Sequence, residues 1–423
     1  MSLVIDANIR KFNKKVYIYS TKFNLMNSKY SPFSHHWQLD EKMTFLNHGS
    51  FGATPSKILD TQDELRKQAE SELVRFYIRE MEDLWDTARI ATADFLGSKH
   101  FNLVFVKNTT MGVNTIMHSL QFKEGDELLT TSQAYGACVN MLKWYCERYK
   151  LNLVIADTPF PLKNEDEIVE AIEKKITSKT KFALIDHITS PTGIIFPVEK
   201  ITRLLQSKGV EVLIDGAHAP GMIDLDLEKL NADYYVGNCH KWICSPKGSA
   251  ILWVREDHHH KISPLQISHA YDKPVERKLR WAKSFFWPGT DDYTSYLCLP
   301  DAIKFMGELF PGGWNELRKT NRDLTLNGRT LLSEKLEVEL PAPENMIGHL
   351  GTIIIGETQV PPHGFNVITP LQEELFSKYK IEVPVFVYPR SAPKLCLRIA
   401  CQAYNDISQI EYLAESVKAI LGR

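Results

Sequence analysis

The feature that most constrains the fold is a series of seven short apolar runs that alternate with helical stretches between about residues 60 and 300. Each run is almost continuously apolar, which is typical of strands that are buried on both faces of a parallel sheet and joined by helices. The predicted strands are 102–108, 126–131, 151–157, 181–188, 210–215, 232–238 and 249–255. We therefore expect an α/β protein with a mostly parallel seven-stranded sheet, whose ligands collect at the carboxyl ends of the strands.

The rest of the chain predicts a second, smaller α+β domain. A long helix follows residue 310, and short strands are expected at 351–357 and 394–401. The predicted organisation is an N-terminal arm at 1–36, a segment at 37–60 that contributes to the small domain and the active site, a large domain at 61–310 and a small domain at 311–423. The first 25 residues are basic and have no clear period, so they favour a weakly ordered arm over a targeting segment.

Composition excludes several classes of function. Hydrophobic residues make up 43% of the chain and the formal net charge is −2, so there is no excess of Lys and Arg for binding nucleic acid. No apolar run is long enough to span a membrane. The seven cysteines form no CxxC pair, which argues against a disulfide framework or a structural zinc site and favours the cytoplasm. The three histidines at 258–260 fit a solvated loop better than a metal site, and no metal is expected.

Three polar residues around the end of one predicted strand carry the chemistry. Asp215 ends an apolar run, His218 follows three positions later, and Lys241 comes shortly downstream. An aspartate at a buried strand end can keep a heterocyclic nitrogen protonated, and a desolvated lysine can form a Schiff base. Pyridoxal 5'-phosphate requires both groups. A helix-capping aspartate and a surface lysine are the alternative for either residue alone.

Eight motifs in order along the chain resemble those of fold type I pyridoxal phosphate enzymes in the class V aminotransferase family. The similarity is greatest to the isopenicillin N epimerase-like branch, which includes hercynylcysteine sulfoxide lyases. The motifs are FLNHGSFGATP at 45–55, NTTMGVNT at 108–115, AYGAC at 134–138, DHITSPTGIIFPV at 186–198, DGAHAPG at 215–221, NCHKW at 238–242, WPGTDDYTSYL at 287–297 and LRIACQAYN at 397–405. This resemblance implies an aspartate aminotransferase-like fold.

The resemblance also implies roles for individual residues. Lys241 forms the Schiff base with the cofactor, Asp215 pairs with the pyridine nitrogen, and His218 reaches the phenolic oxygen of the ring. The remaining cofactor contacts are Thr109, Thr110, Asn238 and His240 at the phosphate, Tyr135 stacked on the ring, Ser190 beside the ring, and Thr290 from the partner subunit. His240 is expected to make a charge-assisted contact. These roles imply a homodimer with shared active sites.

An arginine among apolar neighbours indicates the substrate site. Arg398 lies between Leu397 and Ile399 and needs an anion, either the α-carboxylate of an amino acid or an internal glutamate. Asn47 and His48 are further substrate-binding candidates.

The reaction is left between two possibilities. Epimerisation needs a proton donor opposite Lys241, for which His48 and Tyr135 are candidates, whereas β-elimination from a sulfur-bearing amino acid needs one base and a good leaving group. We favour the carbon–sulfur β-lyase. A cysteine desulfurase needs a mobile cysteine, and Cys396 lies on the same predicted strand as Arg398. Transamination is not typical of this branch, and a non-enzymatic sensor would need an attached DNA-binding module.

Overall fold

A computed structural model describes residues 30–272, 274–358, 367–389 and 392–422. Its main feature is a seven-stranded sheet in the order β2-β8-β7-β6-β5-β3-β4. The strands are β2 (Leu103–Val106), β3 (Glu127–Thr131), β4 (Asn152–Ala156), β5 (Thr180–Asp186), β6 (Glu211–Asp215), β7 (Tyr234–Asn238) and β8 (Ala250–Val254). Only β8 runs antiparallel to its neighbours β2 and β7. The prediction of a mostly parallel seven-stranded sheet is therefore confirmed. Of the predicted arm at 1–36, residues 1–29 lie outside the described residues, and Pro32–His36 form a 3₁₀-helix.

Both faces of this sheet are buried, which explains why its strands are almost continuously apolar. In β5, Ala183 and Ile185 belong to one hydrophobic cluster, while Phe182 and Leu184 belong to another. Successive side chains of a strand point to opposite faces, so the two clusters are the two layers between sheet and helices. The chain to residue 310 contains the helices α1 (His48–Phe51), α2 (Ser56–Ser71), α3 (Met81–Phe95), α4 (Thr109–Ser119), α5 (Gly136–Tyr149), α6 (Asp166–Glu173), α7 (Val198–Ser207), α8 (Leu227–Leu230), α9 (Cys239–Trp242), α10 (Arg280–Ser284), α11 (Thr294–Leu297) and α12 (Leu299–Glu308).

A smaller antiparallel sheet follows, in the order β11-β12-β9. Its strands are β9 (Leu350–Glu357), β11 (Val385–Tyr388) and β12 (Lys394–Ala400), and the helices beside it are α13 (Gly313–Leu336), α14 (Pro370–Tyr379) and α15 (Ile407–Leu421). A two-stranded parallel pair joins β1 (Thr44–Phe45) to β10 (Ile381–Glu382), so the N-terminal segment packs against this part of the chain. The domain boundaries at 36, 60 and 310 stay predictions.

Polar residues meet at the carboxyl edge of the large sheet. Asp186 ends β5, Asp215 ends β6 and Asn238 ends β7, and these strands are parallel neighbours. Helix α4 begins at Thr109, shortly after β2 ends, and helix α9 directly continues β7. The topology thus gathers residues that are far apart in sequence at one edge.

The histidine run at 258–260 differs from its predicted solvated loop. It forms a 3₁₀-helix, Glu256–Lys261, in which His258 is only 6% exposed. The Nε2 atom of His258 lies 3.1 Å from an oxygen of the buried Asp233, and its Nδ1 lies 3.1 Å from the Tyr234 hydroxyl. The prediction failed because a buried carboxylate needs a hydrogen-bonding partner, which this histidine supplies. In the described residues, no group of three or more His, Cys, Asp or Glu is arranged to hold a metal ion.

Candidate active site

Lys241 lies in the short helix α9, where the chain leaves the end of β7. Burial, together with the nearby positive charge of Arg398, lowers the pKa of Lys241 to about 7. An ordinary lysine has a pKa of about 10.4, so its amine is almost fully protonated at neutral pH. Lys241 instead has a large fraction of free amine there, which is the form that attacks a carbonyl carbon or accepts a proton.

His218 contacts the Lys241 amine, and its own contacts assign its tautomer. The indole Nε1 of Trp242 donates to His218 Nδ1 at 3.4 Å, so that nitrogen is an acceptor. Burial lowers the pKa of His218 well below its usual value, and the ring is neutral. The proton therefore lies on Nε2, which is 3.1 Å from Lys241 Nζ. Since Nε2–H can only donate, this contact requires the uncharged amine of Lys241.

Asp215 is buried where β6 ends, and it is 3% exposed. One oxygen accepts the backbone N–H of Ala217 at 3.0 Å, and the other accepts the thiol of Cys138 at 3.4 Å. Burial raises the pKa of Asp215, whereas the nearby Lys241 lowers it. A carboxylate in these dry surroundings binds a cationic ring nitrogen strongly, because a charge is stabilised more by an opposite charge than by water that cannot reach it.

The beginning of helix α4 provides a place for a phosphate. Asn108 caps the helix by accepting the Met111 N–H at 2.9 Å, and Asn238 accepts the Thr109 N–H at 3.0 Å. The Thr109 hydroxyl is buried and has no hydrogen-bond partner among the described residues. Thr110, the next residue, is partly buried. An anion placed here would accept a hydrogen bond from the Thr109 hydroxyl and would be stabilised by the helix N-terminus.

His240 differs from its predicted charged state. Its Nδ1 donates to the Ser249 carbonyl at 3.0 Å, and burial lowers its pKa to about 4. The neutral ring uses its one proton at Nδ1, so Nε2 could donate to a phosphate oxygen only if the ring were protonated. The low pKa describes the ring without an anion beside it, and a phosphate would raise that pKa, so the charge-assisted contact stays a prediction.

Arg398 lies on β12 and is 6% exposed. One terminal nitrogen donates to the backbone carbonyl of Ser190, and Nε has no partner in the described part of the chain. Burial lowers its pKa to about 10, which still leaves the guanidinium charged at neutral pH. No described carboxylate pairs with it, so the alternative of an internal glutamate is wrong for these residues. A buried arginine with unused donors fits a carboxylate ligand.

Tyr135 and Ser190 lie on loops beside these groups. Tyr135 lies between β3 and α5 and is half-buried, and its pKa is raised by burial and by the neighbouring Cys138 and Asp215. Ser190 follows β5 and contacts Arg398 through its carbonyl oxygen. Both residues therefore lie close to groups that the sequence assigned to the same site. Their contacts with a ring stay predictions.

His48 is the clearest correction at the site. It is fully buried, with Nε2 at 2.9 Å from the Lys241 carbonyl and Nδ1 at 2.9 Å from the Tyr404 hydroxyl. A carbonyl only accepts, so Nε2 carries the proton and Nδ1 accepts from Tyr404. With both ring nitrogens in use and its pKa lowered to about 3 by burial, His48 cannot bind a substrate or supply a proton. The prediction was wrong because the spacing in the motif does not reveal which side of the backbone the ring occupies.

The other two predicted residues are less decisive. The side-chain amide of Asn47 is engaged by Ser50 at 2.6 Å and by Glu382 at 3.5 Å, so its contact with a substrate stays a prediction. Thr290 is exposed in a segment held by ion pairs from Asp291 to Lys107 at 2.8 Å and from Asp292 to Arg66 at 2.9 Å. Its contact with a second subunit also stays a prediction.

Sequence reasoning missed two residues here. Asp186 ends β5 beside Asp215, and the signal was available because it also follows an apolar run. Cys138 contacts Asp215 from the first turn of α5, and nothing in the sequence pattern indicated this.

The arrangement can therefore bind a phosphorylated heterocycle with a carbonyl group. The unsatisfied Thr109 hydroxyl at the helix N-terminus suits the phosphate. The low-pKa lysine suits the carbonyl carbon, and the buried carboxylate suits the ring nitrogen. The residues present fit pyridoxal phosphate.

Comparisons with known proteins agree with this chemistry. Residues 53–362 match the aminotransferase class-V family model. The chain is 30% identical to an isopenicillin N epimerase of Amycolatopsis lactamdurans, over 90% of this chain and 96% of that protein. It is 24% identical to a hercynylcysteine sulfoxide lyase of Schizosaccharomyces pombe, over 90% of this chain and 95% of the relative. A solved complex of the cystine C-S lyase C-DES with cysteine persulfide has the same fold, with a TM-score of 0.74 and 19% identity over 89% of this chain and 97% of that one. The chain thus belongs to the class V aminotransferase family, in the branch similar to isopenicillin N epimerase, and is an enzyme whose cofactor is pyridoxal phosphate.

Proposed function

We propose that the enzyme is a carbon–sulfur β-lyase that acts on a sulfur-bearing amino acid. The observation that carries this proposal concerns His48, the histidine considered as a second proton donor. Both of its ring nitrogens are hydrogen-bonded within the protein, to the Tyr404 hydroxyl and to the Lys241 carbonyl. Lys241 is then the strongest candidate for a base. A single base and a good leaving group are enough for β-elimination, whereas epimerisation needs a donor on the opposite face.

The catalytic groups divide the work in this proposal. Pyridoxal phosphate, when bound, supplies a protonated ring that withdraws electrons from the substrate Cα. Asp215 keeps the proton on the ring nitrogen, and His218 donates from Nε2 towards the phenolic oxygen side. Lys241 Nζ carries the cofactor and later accepts the Cα proton, for which a pKa of about 7 is suitable at neutral pH.

Binding groups fix the two ends of the site. The Thr109 hydroxyl and Thr110 bind the phosphate at the N-terminus of α4, and Asn238 and His240 line the same place. Tyr135 covers the ring face and excludes water, with Ser190 beside the ring. Arg398 binds the substrate carboxylate with two parallel hydrogen bonds, which orients the Cα proton towards Lys241.

The structure gives a reason to prefer elimination over persulfide transfer. Cys396 is fully buried in β12, and its thiol contacts the Tyr388 carbonyl at 3.4 Å. Burial raises its pKa to about 12, so it remains an unreactive thiol. Of the cysteines, all of which are described, each is free and buried. We therefore propose direct elimination, in a reducing compartment such as the cytoplasm.

We also propose that two copies form a dimer with shared sites, with Thr290 of one copy reaching the phosphate of the other. Three large apolar residues are exposed near this segment, namely Leu73, Val74 and Ile78 at 50%, 59% and 73%. Tyr77, beside them, donates to the Asp291 carbonyl at 3.3 Å. An apolar surface continuous with the Thr290 segment supports its burial in an interface.

A panel of cysteine, cystine, S-substituted cysteines and cysteine-conjugate sulfoxides tests the proposed reaction. We expect pyruvate together with a sulfur-containing product from at least one of them, and no product from Lys241→Ala. The similarity to isopenicillin N epimerases makes inversion at Cα the alternative outcome. Inversion without pyruvate would contradict the lyase, and its loss in Tyr135→Phe would identify Tyr135 as the opposing proton donor.

A further inference from the structure

A second carboxyl group lies beside Asp215 at the edge of the sheet. Asp186 ends β5, and its Cα is the register partner of the Asp215 Cα in β6. Neighbouring strands lie about 4.8 Å apart, and register partners point to the same face of the sheet. Both carboxyl groups are 3% exposed. Two acidic groups thus share one dry environment.

The hydrogen bonds of Asp186 do not explain a charge. The backbone N–H groups of Tyr135 and of Asp186 itself lower the pKa of this carboxyl group, but by less than burial raises it, and Oδ2 is buried without a partner among the described residues. No described lysine, arginine or histidine forms an ion pair with it. A buried carboxylate oxygen with neither cation nor donor is costly, because it has lost its hydration without compensation.

The groups that face Asp186 add to this cost. Asp215 lies on β6, Cys138 on α5 and Tyr388 on β11, and all three would be anionic if ionised. The nearby Lys241 lowers the pKa of Asp215. Burial and the charge of Asp215 therefore both raise the pKa of Asp186 well above its usual value. Two such carboxyl groups cannot both be ionised at low cost, so the pair keeps a proton.

We propose that Asp186 is a protonated carboxylic acid and a positioning residue, which holds the Tyr135 backbone and leaves Asp215 as the single negative charge of the pair. The proposal deepens the proposed function and rests on its placement of the ring nitrogen at Asp215. A neutral acid satisfies the Tyr135 N–H at the edge of the ring site without adding a second charge. Asp215 then carries the only negative charge of the pair when it contacts the ring nitrogen. The proton on Asp186 thus helps to set how strongly Asp215 binds that nitrogen.

Infrared spectroscopy of the cofactor-loaded enzyme tests the protonation directly. A protonated acid absorbs at a carbonyl frequency that is separate from those of carboxylates and backbone amides. We expect Asp186→Asn to remove one such band at pH 7. The matched control is Asp157→Asn, since Asp157 also follows a strand of the same sheet, the edge strand β4, but is exposed. If the acid region of Asp186→Asn is the same as that of wild type, Asp186 is ionised and the proposal is overturned.

The pH dependence of stability provides a second measurement. An unfolded aspartate has a pKa of about 3.9, whereas folded Asp186 holds its proton to higher pH. As the pH rises above about 4, the unfolded chain loses this proton first, and wild type loses stability relative to Asp186→Asn. We therefore expect the Asn variant to gain in unfolding midpoint over wild type between pH 5 and pH 8. Parallel curves, or a growing deficit of the variant, would contradict a neutral Asp186.

A neighbouring variant keeps the idea testable if Asp186→Asn does not fold. Asp215→Asn removes the neighbouring negative charge, so the acid band of Asp186 should disappear at a lower pH than in wild type. A band that does not move would show that the two groups are not a pair. Failure of the cofactor placement is distinguishable, because Asp215→Asn would then retain the wild-type visible spectrum and turnover while the infrared results stand.

Discussion

At the scale of single residues, the site consists of ionisable groups that are expensive to bury. Lys241, His218 and Arg398 all have pKa values lowered by burial, and Asp215 has its pKa raised by the same cause. Such groups persist in a folded protein when a ligand or the reaction uses them. The low pKa of Lys241, and the Nε of Arg398 that has no partner in the described part of the chain, therefore fit the proposed site for a cofactor and an anionic substrate.

The substrate handle gives a prediction at this scale. Arg398→Lys should keep the visible spectrum of the bound cofactor but bind amino acids roughly tenfold to a hundredfold more weakly, because losing a charge-assisted hydrogen bond costs about 1.5–3 kcal/mol. Titration of the cofactor spectrum with a substrate analogue measures this. Arg329→Lys is the control, since Arg329 is also buried with unpartnered nitrogens but contacts the Ala342 carbonyl instead. Equal affinities in wild type and Arg398→Lys would place the carboxylate site elsewhere.

A site residue could be predicted where its position relative to a strand end is visible in the sequence. Lys241 and Asp215 stand next to strand ends, and the topology of a parallel sheet brings such residues to one edge. His48 also lies in one of the eight motifs, but its ring contacts the Lys241 carbonyl oxygen, and only the three-dimensional packing decides this. The neutral state of His240 likewise depends on burial, which a sequence motif does not report.

At the scale of elements, the N-terminal segment packs directly behind Lys241. Gly52 has a φ of +73°, and a Cβ there would lie 2.0 Å from the His240 carbonyl oxygen and 2.8 Å from the Lys241 Cα. No side chain fits between these backbones, so this glycine allows the segment to support helix α9. Contacts between the N-terminal segment and helix α9 thus help to fix the position of the lysine.

Gly52→Ala should therefore destabilise the protein and lower its cofactor content. The control is Gly125→Ala, because Gly125 has a φ of +88° but no atom within 4 Å of a Cβ. The control pays only backbone strain of about 1–3 kcal/mol, whereas Gly52→Ala adds overpacking of about 1–3 kcal/mol. Denaturant unfolding and the absorbance of the bound cofactor measure both effects. If the two variants lose equal stability and retain equal cofactor, the segment does not support Lys241.

Some helices and strands can be predicted from the local sequence alone, whereas others form only through contacts with distant parts of the chain. All seven strands of the large sheet were predicted, because long apolar runs buried on both faces are a strong local signal. Strand β11 (Val385–Tyr388) and the two-residue pair of β1 and β10 were missed, since such short segments form only through pairing with distant strands. The 3₁₀-helix at Glu256–Lys261 was missed for a similar reason, as its burial depends on Asp233.

At the scale of the whole molecule, the exposed apolar residues near Thr290 test the proposed dimer. We expect wild type to sediment as a dimer and Ile78→Glu to shift towards monomer, because a charge at an apolar interface loses its hydration. Ile155→Glu is the control, since Ile155 is also exposed, at 41%, but lies on β4 at the far edge of the sheet. Analytical ultracentrifugation measures both variants. A monomeric wild type, or an Ile78→Glu variant that remains dimeric, would contradict this interface.

None of the helices in the described ranges is both long and apolar enough to cross a lipid bilayer. The molecule instead uses its apolar residues in the two layers around the large sheet and in the core around β9, β11 and β12. The residues of the proposed site come from both parts, with Asp215 on the large sheet, Lys241 in helix α9 that continues from it, and Arg398 on the smaller sheet. If Arg398 binds the substrate carboxylate as proposed, any relative movement of these parts would alter the distance between that carboxylate and the cofactor.

The most direct test of the account is to identify the lysine that carries pyridoxal phosphate. Borohydride reduction fixes the cofactor on its lysine, and peptide mapping by mass spectrometry then locates it. The expected result is a label on Lys241, whose amine is the one with a pKa lowered to about 7 beside His218 and Asp215. Lys247 is the informative competitor, because burial also lowers its pKa, but its amine contacts the Thr54 hydroxyl at 3.1 Å. A label on Lys247, or on any lysine other than Lys241, would contradict the account.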